Sequence, residues 1–399
     1  MKNNQLPEVR FPEFKDAWEL RKAKVIFKSI VEKGKENLPV LSVTQKNGVV
    51  YREDVGIDIK YDPKTLNGYK VIHPNNFVIS LRSFQGGFEL SDKLGITSPA
   101  YTIFEPVDKN LNDNLFWKSK FKTFDFIESL KTVTFGIRDG KSISFTEFGD
   151  LKIIFPSKEE QEKIGIFFKS LDDTIALYQH KLNILKQTKQ GFLQKMFPKE
   201  GEKVPEIRFP GFTDDWENRN MGSILIERNE LISENSEYPL MSFVQGIGVT
   251  PKGERYDRSF LVKDSLKKYK KTELDDFIYS SNNLETGSIG FNKTGKALIS
   301  PVYSVFSSIN KIESQFIGVF STKKYFINKM LHYRQGVVYG QWRIHEKDFL
   351  SMNIRVPLLE EQRYIVNLFK QLDDTIALHQ RELDILKNTK KAFLQKMFV

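Results

Sequence analysis

Two loops hold the residue types best suited to chemistry with another molecule. Arg82-Ser83-Phe84-Gln85-Gly86-Gly87 follows the apolar run Phe77-Val78-Ile79, and Asn282-Asn283-Leu284-Glu285-Thr286-Gly287-Ser288 follows Phe277-Ile278-Tyr279. Arginine pairs bidentately with guanine, and asparagine or glutamine with adenine, along the major-groove edge of DNA. Taken singly, each segment is also an ordinary glycine-bearing turn. As a pair they match in position and differ in residues, which fits two readers of two different surfaces. The base-reading candidates are Arg82, Ser83 and Gln85 in the first loop and Asn282, Asn283 and Thr286 in the second. Thr44, Gln45 and Lys46 against Gln245, Lys252 and Arg255, and Arg138 and Lys141 against Gln341 and Arg343, extend both sets. The run Lys267-Lys268-Tyr269-Lys270-Lys271 suits phosphate contacts, which supply affinity without sequence information, or is a solubilising surface cluster.

Catalytic motifs fail on inspection. Gly290-Phe-Asn-Lys-Thr-Gly295-Lys296-Ala297 approaches a phosphate-binding loop but ends in Ala where Ser or Thr must ligate magnesium, and the residues after it are strand-like. Gly136 to Ser142 is one residue too short for the same motif. No GxGxxG, nucleophile elbow, HExxH or Asp/Asn-Pro-Pro-Tyr/Phe segment is present. Asp172-Asp173 and Asp373-Asp374 resemble paired carboxylates, yet adjacent helix positions point about 100° apart, which favours a solvated face. With no cysteine and five histidines, disulfides and thiolate zinc sites are excluded and a histidine-rich metal site is disfavoured. No catalytic and no metal-binding residues are assigned.

The elements that position the loops are repeated. Residues 159–197 return 201 positions later at 360–398, and PEVRFPEFKDAW (Pro7 to Trp18) returns as PEIRFPGFTDDW (Pro205 to Trp216). Short apolar runs at 76–80, 101–104, 277–279 and 304–306, divided by Gly-, Asn- and Lys-rich loops, read as strands, with helices around 111–124 and 325–332. In the repeated segments apolar residues alternate at spacings of four and three. They are Ile164, Phe168, Leu171, Ile175, Leu182, Leu185, Phe192 and Met196, then Ile365, Phe369, Leu372, Ile376, Leu383, Leu386, Phe393 and Met397, with the more polar Tyr178 and His379 filling the place after Ile175 and Ile376. This is a heptad seam, interrupted at Lys189 and Lys390.

Such a seam demands a partner, and reach selects one. A helix of 39 residues spans about 58 Å, whereas a domain of about 150 residues has a radius of gyration near 15 Å. The second domain joins the end of one helix to the start of the other, so antiparallel pairing within the chain is expected; ordinary core packing and homodimerisation through the same face are the alternatives. The resulting fold is α/β (α+β), two pseudo-repeated domains joined by a long antiparallel two-helix coiled coil. The expected divisions are 1–155, helix 156–197, linker 198–206, 207–356 and helix 357–399.

A formal charge of +10 favours a polyanionic partner. No run of about 18 apolar residues and no secretory signal is seen, so a cytoplasmic protein without a membrane partner is expected.

The openings at Pro7 and Pro205, the segments Ser98-Pro99-Ala100-Tyr101 and Ser300-Pro301-Val302-Tyr303, and Pro156 or Pro357 leading through EEQ into a leucine-rich helix form one ordered set. With them the chain resembles type I restriction-modification specificity subunits over almost its whole length, twice. The resemblance implies two target recognition domains on an antiparallel coiled coil, with no catalysis of their own. It implies double-stranded DNA as ligand, two methyltransferase subunits as partners, and two motor-nuclease subunits in the full complex. S-adenosylmethionine, ATP and magnesium would then bind the partners, not this chain. Family targets are bipartite, and major-groove contacts on one DNA face lie about 34 to 36 Å apart, so an asymmetric two-part target is expected. The competing readings are a stand-alone DNA-modifying or DNA-cleaving enzyme with an unrecognised site, and an anti-restriction or RNA-binding scaffold. The second helix departs from the pattern in one respect, with Leu358 where the first has the capping residue Ser157.

Overall fold

The duplicated apolar runs become the central strands of two antiparallel sheets. The computed structural model describes residues 6–44, 47–56, 63–80, 87–132, 143–244, 246–251, 267–337 and 341–399. The chain divides into one unit made of residues 1–180 with 381–399 and another made of 181–380.

In the first unit a four-stranded sheet runs in the order Phe27–Ile30, Thr102–Pro106, Phe77–Ile79, Phe88–Leu90. Phe77 sits opposite Phe104 and Leu90, and Val78 opposite Ile103 and Glu89. One face is filled by phenylalanines: Phe77 and Phe104 stack at 5.3 Å, and Phe27, Phe88, Phe121 and Phe148 close around them. Aromatic pairs in this distance range add to area burial, which accounts for the phenylalanine-rich composition. Helices Asn114–Lys120 and Phe124–Leu130 cover that core, each capped by the side chain before it, Asp113 and Thr123. A third helix, Phe145–Asp150, starts with a capping box in which Ser144 and Glu147 exchange hydrogen bonds. The strand Glu19–Lys22 pairs with Lys152–Phe155 and ties the two ends of the domain together.

The second unit repeats this order with Leu225–Glu227, Ser304–Ser308, Phe277–Tyr279 and Ile289–Phe291. Helices Lys311–Phe320, Lys324–Leu331 and Glu346–Ser351 accompany it, and Glu217–Asn220 pairs with Asn353–Val356. Among the described residues the strand ladders are antiparallel, with parallel pairing only at the single bridges Val40–Ile96 and Leu240–Leu298, so of the paired fold-class terms α+β is the one realised. The segment 290–297 joins the ends of two strands through a turn organised by Asn292, whose side-chain Oδ1 accepts from the backbone N–H groups of Thr294 and Gly295. It is no phosphate loop.

Two 38-residue helices, Lys158–Lys195 and Leu359–Lys396, each contribute part of their length to both units. In the first unit Phe167 meets Phe393 edge-on at 5.0 Å, Phe168 lies 5.5 Å from Phe398, and Lys390 donates to Asp172. In the second unit Phe197 lies 6.0 Å from Phe369 and Lys189 donates to Asp373. Within each unit one helix rises as the other falls, which is the expected antiparallel sense. The lysines that interrupt the seam thus pair with the aspartates that looked like a carboxylate pair. Ile164, Phe168, Leu182, Ile365, Phe369 and Leu383 are buried, while Leu171, Ile175, Leu185, Leu372, Ile376 and Leu386 are half-buried. Among the described residues no helix is long and apolar enough to cross a membrane.

Candidate nucleic-acid interface

The repeated openings turn out to be clamps that fix each domain on a helix start. Arg10 donates through Nε and Nη2 to Glu160 at 2.7 Å each, and Arg208 makes the same fork on Glu361 at 2.7 and 2.8 Å. Both glutamates are almost wholly buried. The hydrogen bond to the carboxylate holds each arginine above its ordinary value. The adjacent glutamines close the corner: Gln161 donates to the Pro156 carbonyl and Gln362 to that of Pro357, both at 2.9 Å. The missing cap at Leu358 therefore has little effect, because the Arg-Glu fork and the Gln-Pro contact anchor both starts alike.

On this frame the second unit presents a polar surface built from a loop and a ribbon. After the strand Phe277–Tyr279, residues Ser281–Asn283 form a short 3-10 turn. Thr286 donates to the Asn283 carbonyl at 3.0 Å, so its hydroxyl shapes the loop; the Asn283 side chain is exposed. The Asn282 side chain accepts from the Trp342 backbone N–H at 2.7 Å and so joins the loop to the ribbon Gln335–Val337 and Gln341–Arg343. Gln341 lies on that ribbon. Arg343 is exposed and reaches Glu346 at 3.4 Å.

Arg334 and Trp342 complete the surface, and sequence reading passed over both. Arg334 donates through Nη2 to Glu285 at 2.7 Å and to the Ser281 carbonyl at 2.6 Å, and its guanidinium stands 5.5 Å from the Trp342 ring centre. The hydrogen bond from Arg334 holds Glu285 below the usual carboxylate range. The signal available in the sequence was a tryptophan flanked by Gln341 and Arg343 in an otherwise polar strand.

Of the other candidates, Thr44 is described: its hydroxyl donates to the Gly48 carbonyl at 3.2 Å and accepts from Asn47 N–H at 3.0 Å, holding a hairpin turn. Gln45, Lys46, Arg82, Ser83, Gln85, Arg138, Lys141, Gln245, Lys252 and Arg255 lie outside the described residues. In the lysine run, Lys270 is buried and Lys271 bonds Glu230 at 3.0 Å, while Lys267 and Lys268 are exposed.

Comparison with known proteins agrees with this duplicated frame. The family model for the type I restriction modification DNA specificity domain matches residues 8–187 and again 213–388. The MjaVIII type I restriction enzyme specificity subunit of Methanocaldococcus jannaschii is 24% identical over 349 residues, covering 83% of this chain and 80% of that one. The provisionally assigned MjaX specificity subunit of the same organism is 26% identical over 262 residues, 63% of this chain and 60% of that protein's length. The crystal structure of the type I restriction-modification S subunit from M. genitalium superposes with a TM-score of 0.63 over 99% of both chains at 14% identity, a likeness of fold. With its domain model matched twice, the chain belongs to the family of type I restriction-modification DNA specificity proteins.

Proposed function

We propose that this chain is the DNA-specificity subunit of a type I restriction-modification complex, a binding module with no active site of its own. The observation that supports this most directly is the repetition of the Arg-Glu clamp and sheet in both units with different loops after the matching strands. Each unit reads one part of a bipartite target, and because the loops differ the target is asymmetric. The paired helices set the separation of the two readers and seat two methyltransferase subunits; two ATP-dependent motor-nuclease subunits join for cleavage. Adenine methylation with S-adenosylmethionine, and the use of ATP and magnesium, reside in those partners, in the cytoplasm.

The test is a methylome. Cells carrying the gene should show one bipartite methylated motif that vanishes when the gene is deleted. The purified chain, given S-adenosylmethionine, ATP and magnesium, should leave DNA unmethylated and uncut, and activity from this polypeptide alone would end the proposal.

A further inference from the structure

Resting on the DNA-reading function above, we infer that Trp342 is a specificity-determining residue, placing its indole against the bases of the half-site read by the second unit. Of the chain's four tryptophans, all described, Trp18, Trp117 and Trp216 are 1%, 0% and 1% exposed, whereas Trp342 is 48% exposed. A large apolar ring left in water is unfavourable, and here it is also held still. Its backbone N–H is fixed by Asn282, and Arg334 packs on its ring while Glu285 and the Ser281 carbonyl hold the guanidinium from behind. Two residues on, Ile344 is fully buried and donates its N–H to Ser281 Oγ at 3.0 Å, anchoring the chain beyond the indole. An exposed ring packed by Arg334, on a backbone pinned at the N–H groups of Trp342 and Ile344, is preorganised for contact.

The surroundings select the partner. Arg343, next along the strand, is an exposed cation, and the exposed Asn283 amide belongs to the loop that Asn282 ties to the ribbon. A two-stranded ribbon fits the major groove, where asparagine pairs with adenine and an apolar group meets the thymine methyl of the same base pair. Aromatic rings also stack on exposed base faces. Both contacts are apolar contact with bases, and both depend on the sequence or its deformability.

The experiment uses the full chain assembled with its methyltransferase subunits, and the duplex bearing the motif read from the methylome. Trp342→Ala should relax or lose the half-site read by the second unit, weakening that duplex on the order of tenfold, while the other half-site stays intact; Trp342→Phe should retain the motif. The difference in acrylamide quenching of tryptophan fluorescence between the wild-type and Trp342→Ala complexes reports on Trp342, and the bound duplex should shrink that difference. Replacing half-site thymines by deoxyuridine separates the two contacts: a loss seen in wild type and absent in Trp342→Ala assigns the methyl groups, and no loss assigns the base faces. An unchanged motif in Trp342→Ala overturns the inference. So does loss of both half-sites together, which marks a role in assembly, or an indole equally quenchable while anisotropy shows the duplex bound. In the last case DNA reading by the chain stands and only the role of Trp342 falls; absence of any binding by anisotropy would overturn both.

Discussion

Glu89 in the first unit and Gly290 in the second hold the same place in their sheets, opposite Val78 and Ile278. Beside them, Lys122 and Thr322 each stand two residues before a helix, Phe124–Leu130 and Lys324–Leu331. In the first unit Lys122 donates to Glu89, which is buried. In the second unit the same corner is a cavity of about 80 Å³ lined by Gly290, Phe291, Thr322, Lys189, Lys293 and Asp373. One unit fills the place with an ion pair and the other leaves it open, although both keep the clamp, the sheet order and the seam lysine paired with an aspartate. The joint with the helices is repeated in its chemistry, and the layer beside it is free to differ.

The largest expected effect would break the equivalence of the joints. Arg10→Ala leaves Glu160 buried without its partner, which should cost the first unit about 3–5 kcal/mol, read by denaturant unfolding and by hydrogen exchange near the start of the first long helix. Arg208→Ala should cost the second unit the same, with exchange rising near Glu361. Unequal losses would show that the two clamps are alike only in geometry.

A smaller effect should appear in one unit alone. Lys122→Met leaves Glu89 unpaired and should cost about 2–3 kcal/mol, less than a fully buried pair because Lys122 keeps part of its surface in water. Thr322→Val in the second unit should stay within about 0.5 kcal/mol. Burial already holds Glu89 above the usual carboxylate range. A carboxyl raised in the folded state contributes stability below its unfolded value and loses it as pH rises through the folded one. The Lys122→Met penalty should therefore be greatest at neutral pH and shrink toward pH 4.5, the ordinary glutamate value. A penalty independent of pH would assign the loss to packing.

A loss smaller than that of Lys122→Met sharpens a difference in how closely the helix lies on each domain. A Cβ at Gly165 would stand 2.5 Å from Asp113 Oδ1 and 2.8 Å from the backbone N of Phe116, whereas its repeat position holds the buried Val366. Gly165→Ala should cost about 1–2 kcal/mol by overpacking and disturb the cap that Asp113 places on Asn114–Lys120. An unaltered melting temperature would show that the cap shifts freely.

Periodicity made the long helices and the central strands legible, because four-three spacing and short apolar runs between turn residues each have a local physical cause. The clamps were visible only as repeated letters: Arg10 and Glu160 lie 150 residues apart, and nothing local says that one binds the other. The short helices Phe145–Asp150 and Glu346–Ser351 were missed because six residues are too few to show a period. Lys311–Phe320 was missed because its last residues, Phe316 to Phe320, read as one apolar run. The segment after Phe277–Tyr279 is a loop as its composition suggested, but composition could not tell that Thr286 shapes that loop while Asn283 faces solvent. Exposure of Trp342 was illegible for the same reason, since a tryptophan is ordinarily read as core.

The first unit is discontinuous in the chain. Met397 and Phe398 complete its core, with Phe398 5.5 Å from Phe116 and 6.5 Å from Trp18, while everything from 181 to 380 belongs to the second unit. During synthesis the amino-terminal unit must therefore wait, its aromatic layer incomplete, until Met397 and Phe398 have left the ribosome. The unit made later is contiguous and can close earlier, reversing the usual vectorial order in which domains mature from the amino terminus.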